Sequence, residues 1–262
     1  MTLDVLISTL GRAGIERVAA MTLPEVEGVT YIVSWQMPEG DLPSPLVRDD
    51  VKVYTLDSRG LSLNRNNAIA RSTADAFLIA DDDLDYSSEG LKAVINAFER
   101  HPEVDIATFR YSGPKIKNYP DRETDLHEKL PAGYYVSSVE MAVRRCPATE
   151  SLWFDPRFGL GAPVFCAGEE ELFHWTARRR GVKCRFFPVE ITTHPGVTTG
   201  ERLLTDRRLL QSFGAVITIT TPLTALPRLV LKAWRVSRAG GSFPRSLYYI
   251  VKGALMAPRI RI

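Results

Sequence analysis

Three features of the sequence predict an α/β fold with a mostly parallel central sheet flanked by helices. Short apolar runs rich in β-branched residues recur through the first 80 positions, and helical patterns separate them. The polar and acidic residues capable of chemistry fall at the carboxyl ends of those runs. Strands alternating with helices call for crossover connections and parallel pairing, and in such sheets ligands bind beyond the carboxyl ends of the strands. With 262 residues and 45% hydrophobic content, the chain can bury one large core and still carry an appendage.

The elements follow in order. Residues 3–9 (Leu-Asp-Val-Leu-Ile-Ser-Thr) are an apolar run closed by Gly11, which suits a buried parallel strand. A helix is expected near 14–23, and residues 29–35 (Val-Thr-Tyr-Ile-Val-Ser-Trp) read as a second strand. Residues 36–50 hold three prolines, a glycine and several acids, and read as a loop. A third strand is expected over 51–56 and a helix over 61–73, with Asn64, Arg65, Asn66 and Asn67 near its start. Residues 76–80 (Ala-Phe-Leu-Ile-Ala) form the fourth strand, and Asp81-Asp82-Asp83 begin at its end. Beyond it, 111–133 is polar and loop-like, 134–144 extended, 169–180 helical and 182–187 a strand, with His194-Pro195-Gly196 in the loop after it. Ser8-Thr9, Gln36, Asp57 and Asp81–Asp83 thus all fall at strand ends.

Charge divides the chain in two. The net charge is only +2, but residues 201–262 hold 11 Lys/Arg against Glu201 and Asp206, a net of +9, which leaves −7 on residues 1–200. We therefore expect a domain over 1–200 and a basic tail over 201–262. Cys146, Cys166 and Cys184 are odd in number and lack C-x-x-C spacing, which argues against a disulfide framework or zinc ribbon and suits a reducing cytoplasm. Met1 to Leu10 has no basic start and no cleavage site, so it reads as a strand and not as a signal peptide. No run approaches the ~18 apolar residues of a membrane-spanning helix.

Asp81-Asp82-Asp83 are the first candidates for chemistry. Adjacent carboxylates at the end of an apolar strand repel one another unless a cation offsets them. Alternation in an extended segment lets Asp81 and Asp83 share a face while Asp82 turns away. Oxygen ligands at an open site suit Mg²⁺ or Mn²⁺; the plain alternative is a solvated acidic turn capping the helix that begins near Ser88. In Gly168-Glu169-Glu170-Glu171-Leu172, acids at a helix start satisfy the helix dipole, and an acid beside apolar residues can also act as a general base. His194 reads as a structural residue or as a further metal or diphosphate ligand. Arg65 can pair with a phosphate beside a helix start, or be an ordinary surface arginine.

In this order the pieces resemble the family-2 glycosyltransferases of Rossmann-like GT-A fold, over roughly residues 1–196. Ser8-Thr9-Leu10-Gly11-Arg12 looks like the family's first strand and turn, and Gly60 to Ile69 like the helix before its acidic strand. Phe77-Leu-Ile-Ala-Asp81-Asp82-Asp83 looks like its DXD segment. Phe154-Asp155-Pro-Arg-Phe158-Gly159, Gly168-Glu169-Glu170-Glu171-Leu172, Arg178 to Gly181 and His194 look like its acceptor-side half. The resemblance implies a nucleotide-sugar donor, favouring a UDP-sugar, with a divalent metal (Mn²⁺ or Mg²⁺) and inversion at the anomeric carbon. It implies Thr9, Arg12 and Arg65 near the nucleotide, and Asp81 and Asp82 on the donor. Asp83, Asp81 and His194 would be at the metal, with Asp83 favoured for direct ligation. Glu170 matches the Asp of the family's Glu-Asp pair, the usual base; the replacement by Glu keeps Glu169 and Glu171 in play. Many members end the second strand in a base-contacting Asp. Here the strand ends Trp35-Gln36, so Gln36 or Asp57 would supply that contact.

The tail carries Arg228, Lys232 and Arg235 at i, i+4, i+7 among Leu229, Val230, Leu231 and Trp234, and a second such segment over 243–256. Basic amphipathic helices with aromatics suit an anionic membrane surface; the alternative is an appendage packed on the domain with its basic face solvated. The expected setting is therefore cytoplasmic, peripheral at the inner face of the cell membrane, with a saccharide or lipid-linked acceptor in envelope polysaccharide synthesis. No nucleic-acid partner is expected, and nothing signals an oligomeric state. The competing readings are a sugar-nucleotide nucleotidyltransferase, for which Ser8 to Gly14 is poor in glycine, and a non-enzymatic membrane or nucleic-acid adaptor, which leaves the acid clusters unexplained.

Overall fold

The computed structural model describes residues 1–113, 117–128, 130–194 and 206–257. Pro195 and Gly196 beside His194, and the tail ends 201–205 and 258–262, lie outside the described residues. The described chain falls into two compact units. The first takes Met1–Arg59, Leu63–Trp153 and residues 177–194; the second takes Gly60–Ser62, Phe154–Thr176 and residues 206–257. The grouping does not follow the boundary drawn at residue 200, because 154–176 joins the tail.

The first unit is built on one sheet of mixed direction. Strand β1 (Leu3–Leu10) is buried at every position but its last, as a strand covered on both faces must be. Gly11 turns the chain at φ +64 into helix α1 (Gly11–Ala20), which starts three residues before its expected position. β2 (Val29–Gln36) pairs with β1 in parallel, and β3 (Val51–Leu56) with β2. Helix α2 (Leu61–Arg71) leads to β4 (Ala76–Asp81), which pairs with β1 on its other side, again in parallel.

A two-residue strand, β5 (Asp85–Tyr86), precedes helix α3 (Ser88–Arg100). Ser87 caps α3 by accepting from the Gly90 amide at 3.0 Å, and Leu91, Val94 and Phe98 form its buried stripe. Gly90 lets α3 lie against β9, since a Cβ there would come within 2.5 Å of the Ile191 carbonyl oxygen. Strands β6 (Ile106–Ser112) and β7 (Thr124–Asp125) were not anticipated, and the first takes the start of the expected 111–133 loop. The extended stretch expected over 134–144 reduces to a 3₁₀ turn, Ser138–Glu140, and strand β8 (Met141–Arg144).

Helix α4 (Glu169–Arg179) is followed by β9 (Cys184–Thr193). The order across the sheet is β3-β2-β1-β4-β8-β6-β9-β5, with β7 on β9. β8 is antiparallel to β4 and β6, while β9 runs parallel to β6. The sequence ends the last strand at residue 187, just before Pro188. In the structure pairing lapses there and resumes at Glu190 after a register shift, because proline has no N–H to give the ladder.

In the second unit, helices α5 (Arg207–Thr220), α6 (Ala225–Arg238) and α7 (Phe243–Leu255) follow one another. Asp206 caps α5 by accepting from the Arg208 and Leu209 amides. Phe158, Phe165, Leu172, Ala215 and Val216 form one small core, and Leu210, Leu229, Ala233, Val236 and Ile250 another. Gly214 and Gly253 let α5 and α7 cross with backbones nearly touching. A Cβ on either would lie 1.9 Å from a carbonyl oxygen of the other helix.

Candidate active site

The strand order reverses between β1 and β4, and the carboxyl ends of β1, β2, β3 and β4 meet along one edge. Such a switch point is where open α/β sheets bind ligands. Asp81 closes β4, opposite Ser8 of β1, and Asp82 and Asp83 form a turn. The three carboxylates separate because the chain turns, and not by strand alternation as the sequence suggests. Each then meets a different cationic or ionisable group.

Asp81 accepts from Arg65 Nη2 at 2.8 Å, and the same nitrogen donates to Ser138 Oγ at 2.7 Å. The Arg65 side chain is 1% exposed and that of Asp81 32%. Arg65 is therefore a clamp on the acidic turn, not the ordinary surface arginine of the alternative reading. Asp82 accepts from Thr9 Oγ1 at 2.6 Å and from Arg17 through both Nη2, 2.7 Å, and Nε, 3.2 Å. Gly14 permits this approach, since a Cβ there would fall 2.2 Å from Thr9 Oγ1. Thr9 and Asp82, both expected to bind the donor, are thus engaged with each other.

Asp83 lies beside His194, with Oδ1 3.7 Å from Nε2. Burial pushes the Asp83 carboxyl above the usual range, His194 pulls it back, and Asp81 and Asp82 push it up again. The pairing has a backbone origin. β5 pairs with the end of β9, Asp85 opposite Thr193, which carries the following residue to the acidic turn. The His194 amide also donates to the Ser112 carbonyl at 2.8 Å. A carboxylate and an imidazole side by side are ligands a divalent ion accepts. Among the described residues no three His, Cys, Asp or Glu side chains form a ready-made metal cluster.

The remaining expected donor residues lie along the same edge, and Gln36 and Arg12 have partners of their own. Gln36 is buried at the end of β2 and donates to Ser58 Oγ at 3.2 Å. Arg12 is half-exposed and donates to Glu16 and to the Asp41 carbonyl, tying down the 36–50 loop. Asp57 is exposed just after β3. Helix α2 stitches the strand ends together, Asn64 donating to the Thr9 carbonyl at 2.9 Å and Asn67 to Ser34 Oγ at 2.7 Å. The sequence reading missed Arg17 and Ser138. Gly14 and Arg17, three residues apart on one helical face, were a readable signal for the first. Ser138 had none, because its 3₁₀ turn reaches Arg65 only through the sheet.

Glu169, Glu170 and Glu171 open α4 in the second unit. Gly168, at φ +98, turns the chain into the helix. Glu169 is buried against Gly159, where an added Cβ would lie 3.3 Å from its carboxyl carbon. Gly159 also abuts Ser62, whose hydroxyl donates to the Phe158 carbonyl at 2.6 Å. The glycines of 158–168 are therefore explained by close packing. Glu170 is half-buried. Glu171 reaches solvent, yet protein crowds it enough to raise its pKa, a shift that Lys232 opposes.

Residues 45–147 match the model of glycosyl transferase family 2. The family-2 segment contains Arg65, the acidic turn and Ser138, but stops short of Glu169–Glu171 and His194, and begins after β1. No curated protein matches the sequence. Among solved structures, S. aureus TarS superposes with a TM-score of 0.56 at 15% identity, over 89% of this chain and 42% of that one. TarS 1–349 in complex with UDP gives the same score and identity over 70% of its length. TarS 1–349 with UDP-GlcNAc gives 0.55 at 14% identity over 71%. At such identities the likeness is one of fold: the central sheet flanked by helices is the GT-A architecture expected from the sequence.

Proposed function

We propose that this chain is an inverting glycosyltransferase that moves a sugar from a nucleotide-sugar donor to a hydroxyl of a saccharide or lipid-linked acceptor. The observation that carries the reading is the acidic turn at the switch point, where a buried arginine holds Asp81 while Asp83 faces His194. The family-2 match over the same turn supports it. Asp83 and His194, with Asp81 alongside, are the residues that would hold Mn²⁺ or Mg²⁺; when bound, such an ion neutralises the departing diphosphate. A UDP-sugar is the favoured donor, since TarS has been captured with UDP and with UDP-GlcNAc. Gln36 and Asp57, at the ends of β2 and β3, are the candidates for the nucleobase. Envelope polysaccharide synthesis is the setting that a lipid-linked acceptor implies.

In the reaction the acceptor oxygen bonds to the anomeric carbon from the face opposite the leaving group. The bond from that carbon to the diphosphate breaks with its electron pair leaving on the phosphate oxygen. Glu170 takes the hydroxyl proton. Glu170 is preferred to Glu169 because it is half-exposed, whereas Glu169 is buried against Gly159.

The test is release of nucleoside diphosphate from a panel of nucleotide sugars with candidate acceptors, with and without Mn²⁺. We expect turnover with one donor, lost on chelation and in Asp83→Ala, and a fall of about 10³-fold in kcat for a folded Glu170→Gln protein. Release of pyrophosphate from a nucleoside triphosphate and a sugar phosphate, with no diphosphate from any donor, would replace this reading with the nucleotidyltransferase one. A wild-type rate in Glu170→Gln would remove Glu170 as the base.

A further inference from the structure

The outward faces of α6 and α7 are unusual for helices packed in a small core. α6 turns Leu229, Ala233 and Val236 inward, and α7 turns Ser246, Ile250 and Gly253 inward. The opposite faces are not simply polar. On α6, Val230, Leu231 and Trp234 (51% exposed) lie outward beside Arg228, Arg235 and Arg238. On α7, Tyr248 (62%), Val251 and Leu255 (84%) lie outward beside Arg245 and Lys252. Leu223, at the corner before α6, is 99% exposed, and Leu226 77%. From Arg207 to Ala257 there is not one Asp or Glu.

The arrangement corrects the expected basic stripe. Lys232 is not on it: its ammonium sits over the Phe213 ring, 3.7 Å from the centroid, and burial lowers its pKa against the pull of Glu171. Arg238, over the Trp234 ring, takes its place on the outer face. Each helix therefore shows an apolar strip flanked by cations, the pattern of a helix lying in a lipid interface.

We propose that the outward faces of α6 and α7 dock on an anionic lipid bilayer surface. Charge complementarity selects this occupant. A second copy meeting the face symmetrically would set cations against cations, because a two-fold interface puts the same patch on both sides. The helices lie on the surface and do not cross it. No described helix is long and apolar enough to span alone; α5 and the segment Pro222–Arg238 together have the length and composition, but a bend of 116° breaks them. The apolar side of α5 is already spent on the core, through Leu209, Leu210, Ala215 and Val216. The inference rests on the second unit alone and is independent of the sugar-transfer reading.

The full chain should float with vesicles of phosphatidylcholine containing phosphatidylglycerol and not with phosphatidylcholine alone, and about 0.5 M salt should weaken the binding by screening. Replacing Arg228, Arg235 and Arg238 together by Gln should weaken it roughly a hundredfold. Leu226→Ser with Leu255→Ser should weaken it about tenfold. Every altered side chain is exposed, so melting temperature and donor turnover with a water-soluble acceptor should hold in each variant. The proposal would be overturned by no binding to anionic vesicles, by binding indifferent to both variants, or by a stable dimer in solution that the same leucine substitutions dissolve. Tight binding of single-stranded nucleic acid that the arginine variant loses and the leucine variant keeps would overturn it as well.

Discussion

Arg65 shows how a single contact organises the acidic turn. Its guanidinium is 1% exposed and shares one nitrogen between Asp81 and Ser138. A guanidinium so deeply placed loses a charge-assisted hydrogen bond when Asp81 is removed. Asp81→Ala should therefore lower stability by about 2 kcal/mol, measured as a shift in the urea midpoint of the full chain. An unchanged midpoint would mean that Arg65 is satisfied without Asp81. The Arg17–Asp82 pair differs, since Arg17 is half-exposed; Arg17→Ala belongs with surface pairs, at less than about 1 kcal/mol. The residue types were legible in the sequence, and all three aspartates were marked. Arg65 and His194 were marked as well, but which aspartate each meets was not legible, and Arg17 was missed, because these residues are many positions away and are brought to the turn by the packing of α1 and the pairing of β5 with β9.

At the scale of elements, packing fixed what periodicity left loose. The first four strands and the helix at 61–71 emerged within a few residues of their expected positions, because continuous apolar runs and clear breakers mark them. β6 did not, because Ile-Ala-Thr-Phe-Arg-Tyr-Ser mixes an arginine and hydroxyls into a strand that is nonetheless mostly buried. Pro188 ended the expected last strand early, whereas the sheet bulges there and continues to Thr193, which is what delivers His194. The α5–α7 crossing is decided by two glycines. In Gly214→Ala or Gly253→Ala a methyl would meet a carbonyl oxygen at 1.9 Å, so the helices must move apart. Each substitution should destabilise the chain by about 3 kcal/mol and speed proteolytic cleavage in 207–257 before the sheet is cut. Cleavage at the wild-type rate would show that the crossing tolerates a wider gap.

For the whole molecule, burial dictates an alkaline limit. Tyr31, Tyr86, Tyr119 and Tyr134 all have phenols pushed above their ordinary range, with burial the largest cause in each. The unfolded chain ionises these groups near pH ~10, while the folded chain keeps them neutral. Stability is therefore fully present below that pH and is lost as the pH rises towards the folded values. At about 1.4 kcal/mol per pH unit for each group, four tyrosines remove about 5 kcal/mol by pH ~11, comparable with the whole stability of many domains. A circular-dichroism melt should show the melting temperature falling steeply between about pH 10 and 11. The share of the tyrosine absorbance change that is lost on Tyr→Phe substitution at Tyr31, Tyr86, Tyr119 or Tyr134 should rise with unfolding and not before it. Ionisation of all nine tyrosines in the still-folded protein would contradict the burial of these four rings.

The sequence by itself determined the α/β class, the strand ends that carry polar residues, the acidic turn and the uneven charge of body and tail. Each of these is written in local composition or in a short period, so neighbouring residues suffice to reveal it. Only the tertiary structure decided which carboxylate meets which cation, that Arg65 is buried, and that Lys232 leaves the basic stripe while Arg238 joins it. The same holds for the Asp81-Asp82-Asp83 turn, whose three side chains part company through Arg65, Arg17 and His194. Those outcomes depend on register, bulges and close crossings between segments far apart in the chain, where the cost of an unpaired buried charge, and not local propensity, selects the arrangement.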